Sequence, residues 1–455
     1  MIGSITLSAL AEFMPATLVG ADVAFSRVST DSRKLQAGDL FVALSGENFN
    51  GNRFVAEVAE RQAVAAIVSE AQDADIPQLV VKDTALALGW LGHINRQRCH
   101  ANIVAITGSQ GKTSVKEITG SILSQQFNIL VTRGNLNNTI GAPMMLLELE
   151  QSHQQAVIEL GANAAGEIAW TAMLTDPHIV LINNAAETHL EGFGSLAGVV
   201  QAKGEIIDSG PSTHTVVLNA DDPNVEPWRA RAGRRRCVTF GLDNNADYRA
   251  MNLTLTANGT RFDIESARGR IACFLPLPGR HNVANALAAA ALCLEAGASA
   301  ASICDGLARV SAVPGRLCPV SGINNSRLLD DSYNASPSSF RAAIDVLAAI
   351  KGGDDTCRVL IMGDMAELGS LTVQAHRDVG SYAREQGLDE LWSTGACSEL
   401  ASQAFGEGGR HFDDRDALIR HATSRLDALS VALIKGSRSA GMDKVVQQLS
   451  NGETV

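Results

Sequence analysis

Long apolar runs, paired cysteines and an excess of positive charge are all missing from this 455-residue sequence. No apolar stretch approaches the ~18 residues that a membrane-spanning helix needs, and no basic segment followed by an apolar one opens the chain. We therefore expect a cytoplasmic protein with neither a membrane span nor a signal peptide. The eight cysteines are scattered without a CxxC pair, which predicts reduced thiols that lie mostly in the core.

Positive charge is scarce, because 37 Lys and Arg residues face 49 Asp and Glu residues and the net charge is -12. This balance argues against nucleic acid as a partner. The one basic cluster, residues 229–236, has no interleaved aromatic residues and is interpreted as a solvated helix end. Hydrophobic residues make up 45% of the chain, which is long enough for about two to four domains with separate cores.

The order of apolar strands and helical stretches divides the chain into three segments. The first, residues 1–82, mixes short strands and helices. The second, residues 83–312, has fully buried strands separated by helices, which is typical of a mostly parallel sheet, and an antiparallel patch at 248–277. Strands and helices alternate again in the third segment, residues 313–455. We predict three α/β domains in series.

The most informative stretch is an apolar strand that runs into a glycine-hinged loop, Gly108-Ser109-Gln110-Gly111-Lys112-Thr113. The glycines of such a loop let backbone amides surround phosphate oxygens, the lysine adds a positive charge, and the threonine offers a hydroxyl to magnesium. The general GxxxxGK[ST] pattern has glycine where this chain has Ile106, so the loop is a shorter variant. With a helix predicted at 114–126, it indicates that the chain binds a nucleoside triphosphate. An ordinary βα turn is the alternative.

Three polar residues elsewhere are candidates for the rest of the site. Glu159 ends a buried strand, where the carboxyl edge of a parallel sheet faces a ligand crevice, and a buried acid is costly unless it is paired or metal-bound. His189 also follows a buried strand, and Lys203 lies on a predicted helix. Taken alone, Glu159 could be a surface acid, His189 a structural residue and Lys203 part of a solvated helix face.

Together with the loop, these residues resemble the ATP-dependent Mur ligases and their folylpolyglutamate synthase relatives. Five further motifs resemble the members that add D-alanyl-D-alanine to UDP-N-acetylmuramoyl tripeptide: Asp31-Ser32-Arg33 with Gly38-Asp39-Leu40-Phe41, then residues 132–141, 189–194, 330–334 and 363–369. The resemblance spans the chain. It implies a UDP-sugar domain at 1–82, a central ATP-binding P-loop domain at 83–312 and a Rossmann-like C-terminal domain at 313–455.

The resemblance implies how the residues would hold ATP and magnesium. Gly108, Gly111, Lys112 and Thr113 would hold the β- and γ-phosphates within a loop that includes Ser109 and Gln110, Thr113 and Glu159 would bind magnesium, and His189 would lie near a second metal. Lys203 would react with carbon dioxide to form a carbamate that ligates magnesium. Asn282 would meet the adenine, Arg316 the γ-phosphate and Asp331 the ribose. Asn282 could instead cap a helix, and Arg316 could be a linker charge.

The other substrates are assigned in the same way. The residues implied to bind them are Ser32 and Arg33 for the UDP group, and Asn135, Asn137, Asn138, Thr139 and Asn334 for the muramoyl tripeptide and its surroundings. The implied reaction is ADP-forming amide ligation through an acyl phosphate, in peptidoglycan synthesis, by a monomer. Another Mur ligase or a folylpolyglutamate-synthase-like ligase is the alternative. The third stem residue is left open between diaminopimelate and lysine. Ser336 stands where the family pattern has a second asparagine.

Overall fold

The computed structural model describes residues 1–46, 49–188, 190–256, 259–350 and 355–454. Three α/β domains follow one another, built on sheets of five, nine and seven strands. The fold class predicted from the alternation of strands and helices is confirmed. No helix in the described ranges is long and apolar enough to cross a membrane. All eight cysteines are free, and four of them are buried.

The first domain is a small five-stranded sheet with short flanking elements. Its sheet runs in the order Ala16–Val19, Gln78–Val81, Ala65–Val68, Leu40–Val42 and Val28–Ser29. The other strands are Ile5–Thr6, Ala24–Phe25, Ser45–Gly46 and Phe49–Asn50, and the helices are Leu7–Ala11, the 3-10 turn Gly51–Phe54 and Val55–Glu60. Its main core forms around apolar side chains of these strands, such as Leu40, Ile67 and Leu79.

The helix Thr84–Gln97 joins the first domain to the second. Asp83 caps it by accepting hydrogen bonds from the backbone amides of Ala85 and Leu86. One face of the helix belongs to the first core, while Gly89 and Gly92 lie against the central domain. A Cβ at Gly89 would come within 2.6 Å of the Trp170 ring, so the close contact between the domains needs glycine there.

The central domain has the mostly parallel sheet that the sequence predicts. Its strands, in sheet order, are Ile129–Val131, Gln155–Glu159, Asn102–Thr107, Ile179–Ile182, Thr215–Asn219, Arg236–Gly241, Tyr248–Thr256, Gly259–Ser266 and Gly269–Leu275. The first seven are parallel and the last two pair antiparallel, which confirms the predicted antiparallel patch. The helices are Lys112–Leu123, Gly141–Leu147, Glu167–Thr175, Leu190–Phe193, Leu196–Asp208, Val225–Ala232, Arg280–Glu295 and Ala300–Ala308.

Alternating side chains of the strand Asn102–Thr107 enter two cores, one on each face of the sheet. Val104 and Ile106 pack on the face covered by the alanine-rich helix Arg280–Glu295, and Ile103 and Ala105 pack on the opposite face. Both faces are therefore covered, and the polar residues that follow the strands collect at the carboxyl edge of the sheet.

The C-terminal domain is a second, mostly parallel sheet. Its strands, in sheet order, are Gly409–Phe412, Glu390–Thr394, Cys357–Gly363, Ser430–Lys435, Arg327–Asp331, Cys318–Gly322 and Ser450–Thr454, of which the last two are antiparallel to their neighbours. The helices are Pro337–Ala349, Thr372–Glu385, Glu399–Phe405, Arg415–Arg425 and Asp443–Leu449, with 3-10 turns at Ile323–Asn325, Gly369–Leu371 and Arg438–Ala440. Asp331 and Lys435 end neighbouring strands at the carboxyl edge.

Candidate active site

A cavity of about 840 Å³ lies between the central and C-terminal domains. It brings together most of the residues that the sequence singled out: Ser109, Gln110, Gly111, Lys112, Thr113, Asn135, Asn137, Asn138, Thr139, Glu159, Asn282, Arg316, Asp331 and Asn334. Gly108, Lys203, Ser32 and Arg33 are not among its lining residues. His189 lies outside the described residues, so its predicted role stays a prediction.

The glycines of the loop adopt backbone conformations that favour glycine. The φ angles are +154° at Gly108 and +74° at Gly111. A Cβ at Gly111 would come within 2.5 Å of Asn285 Oδ1 and 2.6 Å of Asn183 Nδ2. The helix begins at Lys112 and ends at Leu123, whereas the sequence predicts 114–126. It begins two residues earlier because left-handed Gly111 is its N-cap. The helix N-terminus therefore lies at the cavity, as an anion-binding loop requires.

Lys112 is folded back onto its own loop. Its Nζ donates to the carbonyl oxygens of Gly108 at 2.7 Å and Ser109 at 3.2 Å. Burial lowers the pKa of this ammonium, Glu159 opposes that change, and Arg316 adds to it. Binding of an anion between two cations that lie close together and are partly desolvated stabilises both charges.

Glu159 and Thr113 form the candidate metal site. Thr113 Oγ1 donates to Glu159 Oε1 at 3.3 Å, and Asn137 Nδ2 donates to the same oxygen at 2.7 Å. Glu159 is 1% exposed, and within the described part of the chain its Oε2 has no hydrogen-bond partner. A buried carboxylate oxygen without a partner, next to a hydroxyl, fits a hard divalent cation. The alternative of a surface acid is wrong for Glu159.

Lys203 lies on the helix Leu196–Asp208 and is 1% exposed, so the alternative of a solvated helix face is also wrong. Its Nζ lies 5.4 Å from the centre of the Phe193 ring. Burial, and secondly the charge of Lys112, lower its pKa to about 7, while Glu205 and Glu167 act the other way. A large share of this buried amine is therefore uncharged near pH 7, and it lies near enough to Lys112 for that charge to act on it.

Arg316 reaches the cavity from the C-terminal side and stacks 4.2 Å from the centre of the Tyr333 ring. It is therefore part of the cavity wall rather than a free linker charge. Asp331 Oδ1 accepts a hydrogen bond from the backbone amide of Leu317 at 3.1 Å. Its Oδ2 pairs with Lys435 Nζ at 2.5 Å, and Lys435 is 2% exposed. Asp331 thus fixes the backbone beside Arg316.

Asn282 lies inside a helix rather than at its cap. The helix Arg280–Glu295 has Gly279 as N-cap, without a side-chain cap, so the capping alternative is wrong. The Nδ2 of Asn282 donates to the carbonyl oxygen of Pro278 at 2.7 Å. This bond uses the side-chain nitrogen of a residue that lines the cavity, and the side-chain oxygen of an asparagine is a hydrogen-bond acceptor.

The sequence reasoning missed several polar residues that support the loop. Asn184 Oδ1 accepts from the Gln110 backbone amide at 2.8 Å. Asn183 Nδ2 donates to the Gln110 carbonyl oxygen at 3.0 Å and to Asn285 Oδ1 at 3.1 Å. The available signals were two consecutive asparagines after a buried strand and the spacing of Asn282 and Asn285, which share a helix face. Lys435, at the end of an apolar strand, was missed as well.

Ser32 and Arg33 lie on an exposed turn of the first domain. The Arg33 guanidinium binds both carboxylate oxygens of Asp31 at 2.9 Å and holds the pKa of that carboxyl at about 2. The carbonyl oxygen of Ser32 accepts from Arg61 at 3.2 Å. These bonds connect the turn to itself and to Arg61, away from the cavity between the other two domains.

Comparisons with known proteins decide the family. Models of the Mur ligase family catalytic domain, the Mur ligase middle domain and the Mur ligase glutamate ligase domain match residues 24–98, 106–293 and 315–438. An Escherichia coli protein named UDP-N-acetylmuramoyl-tripeptide--D-alanyl-D-alanine ligase is 48% identical, and the alignment covers 99% of both chains. The chain belongs to the Mur ligase family.

Solved structures of Mur ligases share the arrangement of all three domains. The crystal structure of MurF from Acinetobacter baumannii matches with a TM-score of 0.90 and 36% identity, over 98% of this chain and 99% of that one. MurF from Thermotoga maritima in complex with ADP matches with a TM-score of 0.81 and 25% identity, over 93% and 96% of the two chains. The resemblance seen in the sequence is confirmed.

One contact in this Mur ligase joins the glycine-hinged loop at 108–113 to the C-terminal domain. Gln110 Nε2 donates to Ser336 Oγ at 2.9 Å and also contacts Ser338 Oγ. Ser336 caps the helix Pro337–Ala349 in a capping box with Ser339. At the position where the family pattern has a second asparagine, the serine therefore both starts a helix and contacts the loop.

Proposed function

We propose that this protein joins D-alanyl-D-alanine to UDP-N-acetylmuramoyl tripeptide and converts ATP to ADP and phosphate, as a step of peptidoglycan synthesis. The observation that carries the proposal is a cavity lined by the phosphate-binding loop, Glu159 and Arg316 together. The Escherichia coli relative is named for this ligation and spans the whole chain. Because ATP is made and used inside the cell, the proposal places the reaction in the cytoplasm.

The chemical difficulty is that the tripeptide carboxylate and the γ-phosphate are both anions. Lys112, the N-terminus of its helix and Arg316 place positive charge around one cavity. This charge stabilises the transition state, in which a carboxylate oxygen bonds to phosphorus and ADP leaves. The neutral amine of D-alanyl-D-alanine then attacks the carbonyl carbon of the acyl phosphate and an N–C bond forms. The C–O bond breaks, phosphate departs with its electrons, and the nitrogen releases a proton to water.

Magnesium is the metal we propose, held by Thr113 and Glu159. Both offer hard oxygen ligands, and Mg²⁺ is usually bound through few protein ligands, with substrate phosphates and water completing its coordination. When bound, it would neutralise charge on the phosphates. His189 stays a proposed neighbour of a second metal on the strength of the resemblance.

Lys203 is proposed to be a carbamate in the active enzyme. The neutral amine attacks the carbon of carbon dioxide, an N–C bond forms, and the amine releases a proton. The product is an anion suited to ligate magnesium, whereas an ammonium would repel it. The lowered pKa of about 7 supports this step, because a large share of the amine is then neutral near neutral pH.

The remaining roles follow the walls of the cavity and the first domain. Asn282 is proposed to meet the adenine and Asp331 the ribose, with Asp331 held in place by Lys435. The loop with Asn135, Asn137, Asn138 and Thr139 is proposed to bind the tripeptide end, since Asn137 contacts Glu159. Asn334, which lines the same cavity from the C-terminal domain, is proposed to contribute to this site. Ser32 and Arg33 would bind the UDP group.

Product analysis by mass spectrometry tests the proposal. Purified protein with ATP, magnesium, UDP-N-acetylmuramoyl tripeptide and D-alanyl-D-alanine should form the UDP-linked pentapeptide, and tripeptides with diaminopimelate or lysine should be compared. Incubations with a single L-amino acid, or with folate and glutamate, cover another Mur ligase and a folylpolyglutamate-synthase-like ligase. Turnover with a single L-amino acid, or with folate and glutamate, at the same rate as with D-alanyl-D-alanine would overturn the assignment.

A further inference from the structure

Four cationic side chains line the cavity in the described ranges: Lys112, Arg316, Lys435 and Arg438. Three of them already have a proposed role or a buried partner. Lys112 and Arg316 are proposed to face the phosphates, and Lys435 is paired with buried Asp331 at 2.5 Å and donates to a backbone carbonyl at 3.0 Å. Arg438 is the remaining cation of this set, and the proposed reaction assigns it nothing.

Arg438 is available to a ligand. Its side chain is 67% exposed, and its ion-pair partner Asp443, at 3.3 Å, is itself 38% exposed. An exposed ion pair of this kind contributes little free energy to the stability of the fold. A second anion can therefore compete with Asp443 for the guanidinium. The 3-10 turn Arg438–Ala440 follows the strand Ser430–Lys435, and the neighbours Ser437 and Ser439 line the same cavity.

The position of Arg438 relative to the reacting groups is given by Tyr333. The ring of Tyr333 has the Arg316 guanidinium 4.2 Å from its centre and the Arg438 guanidinium 5.9 Å from its centre. The two guanidinium groups therefore lie no more than about 10 Å apart. An extended dipeptide spans about 7 Å, which lies within this limit.

We propose that Arg438 binds the C-terminal carboxylate of D-alanyl-D-alanine, an inference that rests on the proposed function. The amine of the dipeptide then reaches the acyl phosphate beside Arg316 while its carboxylate meets the guanidinium fork, which matches a carboxylate with two parallel hydrogen bonds. Under this proposal a single D-alanine is a poorer substrate, because its carboxylate lies one residue closer to its amine.

Steady-state kinetics with a charged and a neutral substrate test the inference. Arg438→Ala should raise KM for D-alanyl-D-alanine by at least about tenfold, the usual effect of removing a charge-assisted hydrogen bond. KM for ATP and for the tripeptide should change little. The neutral D-alanyl-D-alanine amide should bind poorly to the unmodified enzyme, and Arg438→Ala should no longer distinguish the acid from the amide. Arg438→Lys should be intermediate, because a lysine keeps the charge and loses the fork.

Arg425→Ala is the matched control, because Arg425 is 58% exposed and paired with Glu390 in the same domain but does not line the cavity. It should behave like the unmodified enzyme. If Arg438→Ala still prefers the acid to the amide by the original factor, another group binds the carboxylate and the inference is overturned. If the unmodified enzyme does not ligate D-alanyl-D-alanine, the proposed function itself is overturned.

Discussion

Substitutions of Lys203 distinguish two hypotheses: that this lysine has only a structural role, and that it is carbamylated in the active enzyme. A pKa that falls from 10.5 to about 7 corresponds to about 5 kcal/mol of unfavourable free energy for keeping the ammonium in the folded protein. Carbamate formation removes that ammonium and supplies an anion. Lys203→Arg cannot follow this route, because guanidinium stays charged and does not form the carbamate.

The expected results differ between two variants. Lys203→Ala should still bind nucleotide through the phosphate-binding loop, yet its kcat for ligation should fall by roughly 100-fold or more, as when one preorganised charge-stabilising group is lost. Acetate or formate should restore part of that activity by occupying the position of the missing carboxylate. Lys203→Arg should be inactive, and neither anion should rescue it, because the guanidinium still fills the site.

Phosphate release with and without added carboxylate is the assay, together with nucleotide binding to confirm that each variant is folded. Intact mass of the unmodified enzyme under carbon dioxide should show the adduct, and removal of carbon dioxide should lower activity reversibly. A fully active Lys203→Arg enzyme would refute the reasoning and leave Lys203 a structural residue.

Three further predictions concern other parts of the molecule. Lys112→Ala should lose about 3 kcal/mol of transition-state stabilisation, and a fall in kcat of less than about tenfold would contradict its role. Arg33→Ala should raise KM for the UDP substrate and leave KM for ATP nearly unchanged, because Arg33 does not line the cavity proposed to hold ATP; a selective ATP defect would exclude that assignment. Glu295 is half-buried, and this desolvation by itself raises its pKa, but hydrogen bonds from Arg236 and Tyr248 outweigh it and hold the pKa below its usual value. Its carboxylate therefore stabilises the fold above about pH 4.5, and this stabilisation is lost as pH falls through the lower folded pKa. Glu295→Gln should reduce the free energy of unfolding by about 1–3 kcal/mol at pH 7 and by much less near pH 3, as measured by urea unfolding; an equal loss at both pH values would show that charge is not the cause.

The sequence predicted the parts of the site that depend on local order. The geometry of the loop could be predicted for Gly108, Gly111, Lys112 and Thr113. A βα loop and its helix form from residues that are neighbours in the sequence. Glu159 could be placed at the carboxyl edge because buried strands of a parallel sheet end there. Arg316 and Asp331, by contrast, were tied to this cavity only through the family resemblance.

What the sequence did not show depends on contacts between distant residues. Lys203 has the pattern of a solvated helix residue, and its burial follows from how its helix packs on the sheet. Lys435 lies at the end of an apolar strand and becomes a cavity residue only when that strand pairs beside Asp331. The contact of Gln110 with Ser336 joins residues 226 positions apart, which no local pattern encodes.

Phosphate release measured with each substrate omitted in turn tests the central claim most directly. The account predicts sustained release only when ATP, UDP-N-acetylmuramoyl tripeptide and D-alanyl-D-alanine are all present, because the acyl phosphate is consumed productively only when the dipeptide amine intercepts it. Sustained release at the same rate without D-alanyl-D-alanine, or with a single amino acid in its place, would contradict it.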